Sequence, residues 1–324
     1  MLSATRSTDV LQVGGLAKRF ASGGGVDDVA LSVAQGSITG FIGVNGAGKS
    51  TTLRCILGLL QPDKGQIQLF GEAAGPEARR RIGFLPEERG LFPRERARDV
   101  IAFHARLKGL GKRQAYAAAD DLLERIGLGQ RRNARIQELS KGNAQRVQIL
   151  CALAHRPELL ILDEPLSGLD PIAQAEILAL FAEFRAGGGA ILFSTHSMSA
   201  AETLCDRVVM LAAGRTVFEG TLMEASGKAP HGAVVVTADQ AALMAAVRSV
   251  DGEARPMAGA IGEATRWRIV LPAHVPHPAL MRALAEHAVP IFTFEPIKEN
   301  LEGAFWQLAA PAKPTIPLQR SQAA

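Results

Sequence analysis

The stretch that most constrains this chain is Gly43-Val44-Asn45-Gly46-Ala47-Gly48-Lys49-Ser50-Thr51, which fits the pattern G-x-x-x-x-G-K-[ST]. Gly43, Gly46 and Gly48 let successive backbone N–H groups point into one small volume without Cβ clashes, the arrangement that holds a polyphosphate. Residues 37–42 (Ser-Ile-Thr-Gly-Phe-Ile) read as a buried strand before the loop and residues 51–60 as a helix after it. The anion then sits on a helix N-terminus, where the macrodipole adds partial positive charge. Lys49 brings a full charge to the β- and γ-phosphates, and Ser50 Oγ is placed to ligate Mg²⁺.

A second acidic element is expected on the same edge of a sheet. Leu159-Leu160-Ile161-Leu162-Asp163 is an apolar run that ends in a carboxylate, followed by Glu164-Pro165. A buried strand delivering an acid at its C-terminal end suits Asp163 as a metal-holding aspartate, and Glu164 is placed to orient or deprotonate a water. Residues 190–194 form another buried strand, with Thr195-His196 at its end. In an open α/β sheet that end borders the ligand, which favours a γ-phosphate contact for His196. Ser140 is suited to cap the helix expected over 144–154.

The chain's 324 residues, 47% of them hydrophobic and 21% charged, have room for about two globular domains. No apolar run approaches the roughly 20 residues of a membrane-spanning helix, and the N-terminus has no apolar core of signal-peptide length. Cytoplasmic residence is therefore expected, with Cys55, Cys151 and Cys205 reduced and buried. Residues 76–141 hold 16 Lys/Arg against 9 Asp/Glu, although the whole chain carries only +4. Such a segment suits anionic headgroups, nucleic acid, or simply a solvated helix face.

In chain order, residues 10–20 and 28–33 flank Ser22-Gly23-Gly24-Gly25 and suggest an antiparallel hairpin. Phe20, near its turn, is either core or a platform for an adenine ring. Strands are expected at 66–70 and 81–85, the latter running into the loop Pro86-Glu87-Glu88-Arg89-Gly90. Residues 94–128 turn helical, with Val100, Ile101, Phe103 and Leu107 on one face and Leu122, Leu123 and Ile126 on another.

The ordered set of residues 43–51, Leu139-Ser140-Lys141-Gly142-Asn143, residues 159–165, Ser167-Gly168-Leu169-Asp170 and His196 closely resembles the ATPase subunits of ATP-binding cassette (ABC) transporters, over about residues 11–220. The resemblance implies a P-loop ABC ATPase core, with a RecA-like sheet, an antiparallel β-subdomain and a helical subdomain. It makes Phe20 the adenine-stacking aromatic, usually Tyr, and residues 139–143 the signature, commonly Leu-Ser-Gly-Gly-Gln. Ser140 and Gly142 then hold the γ-phosphate bound to an opposite subunit. Asp163 becomes the metal-binding aspartate, Glu164 the catalytic glutamate, Asp170 the aspartate of a dimer-contacting loop, and His196 the switch histidine. ATP and Mg²⁺ are the implied cofactors. The partners are a second ATPase subunit, read as an identical chain, and a separate integral-membrane permease, with the ATPase peripheral on the inner face of the cell membrane and no nucleic acid.

Two departures qualify this pattern. Glu87 stands where the family usually has Gln in the loop that couples nucleotide to the membrane partner; a carboxylate there can ligate Mg²⁺ directly or repel the γ-phosphate. Asn143 closes the signature in place of Gln. The pairing of Leu-Pro-Glu-Glu-Arg with Leu-Ser-Lys-Gly-Asn resembles a bacterial branch associated with export-type permeases. A soluble ABC ATPase acting on nucleic acid or ribosomes is the alternative, against which stand a single cassette and no sustained heptads.

Residues 1–222 are thus expected to form the ABC domain, with its helical insertion at about 90–140, and residues 223–310 a small α+β accessory domain. The order expected in the latter is β-α-β-β-α-β, ferredoxin-like, followed by a closing helix over 300–308. A flexible tail is expected at 311–324.

Overall fold

The computed structural model describes residues 9–88, 90–261, 264–272, 274–297 and 300–309, residues 258–261 by backbone alone. Arg89 and the expected tail, 311–324, lie outside the described residues. The chain divides into two compact units between Leu222 and Met223.

The first unit runs β1 (Asp9–Arg19), β2 (Gly25–Ala34), β3 (Ile38–Ile42), α1 (Lys49–Ile56), β4 (Lys64–Leu69), β5 (Glu72–Ala73), α2 (Pro76–Arg80) and β6 (Ile82–Leu85). It continues with α3 (Ala97–Leu107), α4 (Lys112–Arg125), α5 (Lys141–Leu153), β7 (Leu159–Asp163), α6 (Pro171–Ala186), β8 (Ala190–Thr195), α7 (Met198–Leu204), β9 (Arg207–Ala212) and β10 (Arg215–Thr221). The ten strands form one sheet in the order β5-β4-β1-β2-β10-β9-β3-β8-β7-β6.

Half of that sheet, β9-β3-β8-β7-β6, is parallel. Every residue of β3, β7 and β8 is buried, which is why these strands read as near-continuous apolar runs and not as alternating patterns. Parallel strands share a C-terminal edge. Since the phosphate loop follows β3, Asp163 ends β7, His196 follows β8 and Glu87 follows β6, the four elements converge on one side of the sheet.

The other half, β1, β2, β4 and β5, is antiparallel. It joins the parallel half across β2 and β10, where the main-chain ladder reduces to the single pair Arg215↔Asp28. Side chains supply the missing bonds. Ala30 N donates to Thr216 Oγ1 and Thr216 Oγ1 donates to Ala30 O, while Ser32 donates to the Glu219 carboxylate through both N and Oγ.

The helical stretch expected over 94–128 is two helices, because Gly109 takes φ 107° and breaks the run before α4. On α3 the buried residues are Ala97, Val100, Ile101, Ala102 and Ala105, packed toward α4 and α5. Phe103 and Leu107, expected with Val100 and Ile101, are instead exposed: the helix offers one stripe to its neighbours, and those two residues fall off its flank. Strands β9 and β10 and helix α7 had no counterpart in the sequence reading.

The second unit contains α8 (Leu222–Ser226, begun one residue earlier), β11 (Gly232–Thr237), α9 (Gln240–Arg248), β12 (Glu253–Ile261), β13 (Ala264–Val270), α10 (His277–Glu286), β14 (Ile291–Pro296) and α11 (Leu301–Ala309). Its four strands form an antiparallel sheet ordered β12-β13-β11-β14. Ala233, Val235, Trp267 and Ile269 pack with Leu243, Val247, Leu280 and Leu284 from α9 and α10 to make its core.

Candidate nucleotide site

The loop between β3 and α1 wraps a cavity of about 290 Å³ lined by Gly25, residues 44–51, Glu87, Asp163 and Glu164. Gly46 (φ 81°) and Gly48 (φ 108°) hold left-handed backbone, and a Cβ on Gly48 would lie 2.3 Å from Val26 Cγ1. That crowding explains why only glycine serves where the hairpin turn backs onto the loop. Helix α1 starts at Lys49 with no side-chain cap, so its N-terminal N–H groups open toward the cavity as anion donors.

Lys49 is 8% exposed and Nζ donates to Gly43 O at 2.6 Å. Burial holds its pKa below the ordinary lysine value, against the opposing pull of Glu164, Asp163 and Glu87. Three carboxylates thus surround one cation, an arrangement ready to take up a polyanion with divalent charge between.

Asp163 is held from both sides. Ser194 Oγ donates to its Oδ1 at 2.7 Å and Ser50 Oγ to its Oδ2 at 3.1 Å; Ser194 is fully buried. Glu164 departs from the strand with φ 51°, a conformation that costs a non-glycine residue and turns its side chain back across the sheet end. Its carboxylate is gripped by the turn after β8. His196 N donates to Oε1 at 2.8 Å, His196 Nδ1 lies 2.7 Å from the same oxygen, and Thr195 Oγ1 donates to Oε2 at 3.3 Å.

Of the residues singled out from the sequence, Val44, Asn45, Gly46, Ala47, Gly48, Lys49, Ser50, Thr51, Glu87, Asp163 and Glu164 share the cavity wall. Gly43 joins them through its bond to Lys49, and His196 through Glu164. Phe20, Ser140 and Gly142 are not among the lining residues. Phe20 sits in the hairpin whose far side supplies Gly25, its N–H donating to Gly24 O and its carbonyl accepting from Gly23 N. Ser140 caps α5 by accepting from Asn143 N, and Gly142 faces Gly168 and Leu169. Asp170 caps α6, accepting from Ile172 N and Ala173 N at 3.0 Å.

The sequence reading missed Ser194, Thr195 and Gly25. Ser194 had one visible signal, a hydroxyl that closes the apolar run Ile191-Leu192-Phe193 two residues before His196. Cys55, Cys151 and Cys205 are free and buried.

A model of the family described as "ABC transporter" matches residues 26–167. The chain is 41% identical over 215 residues to the ABC transporter ATP-binding protein YhaQ of Bacillus subtilis, covering 66% of this chain and 72% of that one. With the methionine import ATP-binding protein MetN of Mesorhizobium japonicum it shares 38% identity, over 66% of this chain and 61% of that one. A solved ATP-binding subunit of an ABC transporter superposes with a TM-score of 0.63 at 35% identity, covering 68% of this chain and 92% of that one. A phosphate-binding loop, two adjacent carboxylates and a histidine converging on one sheet edge, together with these likenesses, identify the chain as a member of the ABC transporter family, one of its ATP-binding and ATP-hydrolysing subunits.

Proposed function

We propose that the chain powers an exporter by closing, with ATP, against a second copy of itself. The observation that carries this reading is the separation of the site into two parts. The cavity of the phosphate loop lacks Ser140 and Gly142 in its wall, so a signature that contacts nucleotide has to reach that of another subunit. Phe20 would stack on the adenine.

The residues fit Mg²⁺ as a cofactor. Ser50 Oγ and the Asp163 carboxylate are hard oxygen donors in contact with one another, and Mg²⁺ takes one or two such protein ligands beside phosphate oxygens and water. Among the described residues no cluster of three or more His, Cys, Asp or Glu could hold a metal alone. Glu87, in the same wall, is the further candidate ligand. When bound, the ion neutralises charge on the β- and γ-phosphates. Lys49 and the loop N–H groups cradle the phosphates, Glu164 accepts a proton from the attacking water, and His196 and Thr195 fix the carboxylate that does so.

No helix among the described residues is long and apolar enough to cross a membrane; the proposed translocation path lies in a separate permease, on whose cytoplasmic side the ATPase docks. Phe92 (50% exposed), Phe103 (42%) and Leu107 (64%) lie beside the Glu87 loop in sequence and on α3, with the two phenyl rings in edge contact at 5.8 Å. An exposed apolar surface of this kind suits such a partner. Export is proposed from the pairing of Leu-Pro-Glu-Glu-Arg with Leu-Ser-Lys-Gly-Asn, while the relative MetN is named for import.

The test is affinity purification of the Glu164→Gln chain from gently solubilised native membranes with ATP. Co-purification of a polytopic membrane protein in fixed ratio, with a dimer of this chain, supports the reading, and vesicle transport assays on that pair decide direction. A soluble dimer alone, or one carrying RNA, overturns it.

A further inference from the structure

Helix α5, which begins at the signature, carries two glutamines one turn apart on a buried face, Gln145 and Gln148, each 4% exposed. Burying a side-chain amide costs free energy that only hydrogen bonds recover, so an apolar residue would pack there more cheaply. Their partners are specific. Gln148 Nε2 donates to Glu88 O at 3.1 Å and Pro86 O at 3.4 Å, the carbonyls on either side of Glu87. Gln145 Nε2 donates to Pro165 O at 3.5 Å, on the residue after Glu164.

Carbonyl partners fix each amide's orientation, because only the NH₂ end can donate to them. Gln148 Oε1 is consequently left buried with no partner, a cost the bond to the Glu87 loop has to offset. Glu87 itself faces the phosphate cavity, whereas Ser140 and Gly142 at the head of α5 do not. One rigid helix therefore joins the signature to the loop that aims a carboxylate at the chain's own phosphates.

We infer that Gln148 is a positioning residue that ties the Glu87 loop to the signature helix, so that nucleotide engaged at Ser140 and Gly142 resets Glu87 in the other site. Gln145 makes the weaker, parallel tie to the Glu164 turn. This rests on the roles proposed above for the signature and for Glu87.

The experiment is hydrogen exchange with mass spectrometry on the full chain carrying Glu164→Gln, with and without ATP and Mg²⁺. In that parent, ATP slows exchange at residues 43–51 and also at residues 84–88. Adding Gln148→Leu, close in volume but without a donor, leaves the protection at 43–51, speeds exchange at 84–88 by about tenfold and abolishes its response to ATP. With Glu164 intact, Gln148→Leu lowers kcat while the KM for ATP stays within about twofold. Gln148→Asn, which keeps the amide but shortens its reach, gives the same result should the leucine variant fold poorly by thermal melting. Unchanged exchange at 84–88 in either folded variant, or no ATP response there in the parent, overturns the inference. A parent with no ATP protection at 43–51 overturns the reading of the site, and this inference with it.

Discussion

Ser194→Ala isolates one hydroxyl whose whole effect passes through Asp163. The Ser194 side chain has no solvent access, and its 2.7 Å bond ends on a carboxylate oxygen. Hydrogen bonds to charged groups contribute about 1.5–3 kcal/mol, and with no water able to replace this one the loss belongs near the middle of that range, about 2 kcal/mol of folding stability. The effect on metal is separable from the effect on folding. With Ser194 gone, Asp163 keeps, among the described residues, the 3.1 Å bond from Ser50, a residue proposed above to turn toward the metal, so the carboxylate loses its fixed orientation. Second-sphere losses of this kind raise the metal requirement roughly 10- to 100-fold. Titrating Mg²⁺ against ATPase rate at saturating ATP reads this directly, while ATP affinity in EDTA stays within about twofold of wild type. Urea unfolding followed by circular dichroism reads the stability term, and Ser194→Thr, which keeps a hydroxyl, recovers most of the Mg²⁺ response. A variant with an unchanged Mg²⁺ midpoint and less than about 0.5 kcal/mol of destabilisation would refute the assignment of Ser194 as the group that orients Asp163.

Two further expectations concern the helical segment and its seat. Burial, with Lys108 nearby, holds the His155 pKa down to about 4 even though Ile82 O accepts from its ring. A histidine kept neutral in the fold contributes stability fully above its ordinary value near 6.5, and that contribution is lost as pH falls toward 4. The ceiling is about 3 kcal/mol, roughly halved by the solvent that reaches the ring; His155→Gln should flatten stability between those pH values, and an NMR titration of the His155 ring above pH 6 would contradict it. Gly83, in β6, has the backbone oxygen of Ala152 only 2.2 Å from where a Cβ would stand. Gly83→Ala therefore forces α5 off the strand and costs about 3 kcal/mol or more, seen as a lowered melting temperature, whereas an unchanged melt would mean the contact is not fixed.

The sequence alone determined the parts whose physics is local. A glycine-rich turn followed by Lys49 and Ser50 has few uses other than holding phosphate, because no other residue type leaves the backbone N–H groups so bare. Residues 159–163 and 190–194 betrayed themselves as central strands because a parallel sheet covered on both faces selects unbroken apolar runs. Tertiary structure alone decided what depends on distant segments meeting. The strands β9 and β10 were hidden because their pairing is set by neighbours from elsewhere in the chain, and the exposed placing of Phe103 and Leu107 follows from where α4 and α5 lie. Ser194 looks like the polar end of an apolar stretch, and Gln148 like an interruption of one, until Asp163 and the Glu87 loop are brought against them. Charge and hydroxyl content are written in the chain, but which carboxylate each hydroxyl holds is a matter of Ångströms that only the folded sheet edge supplies.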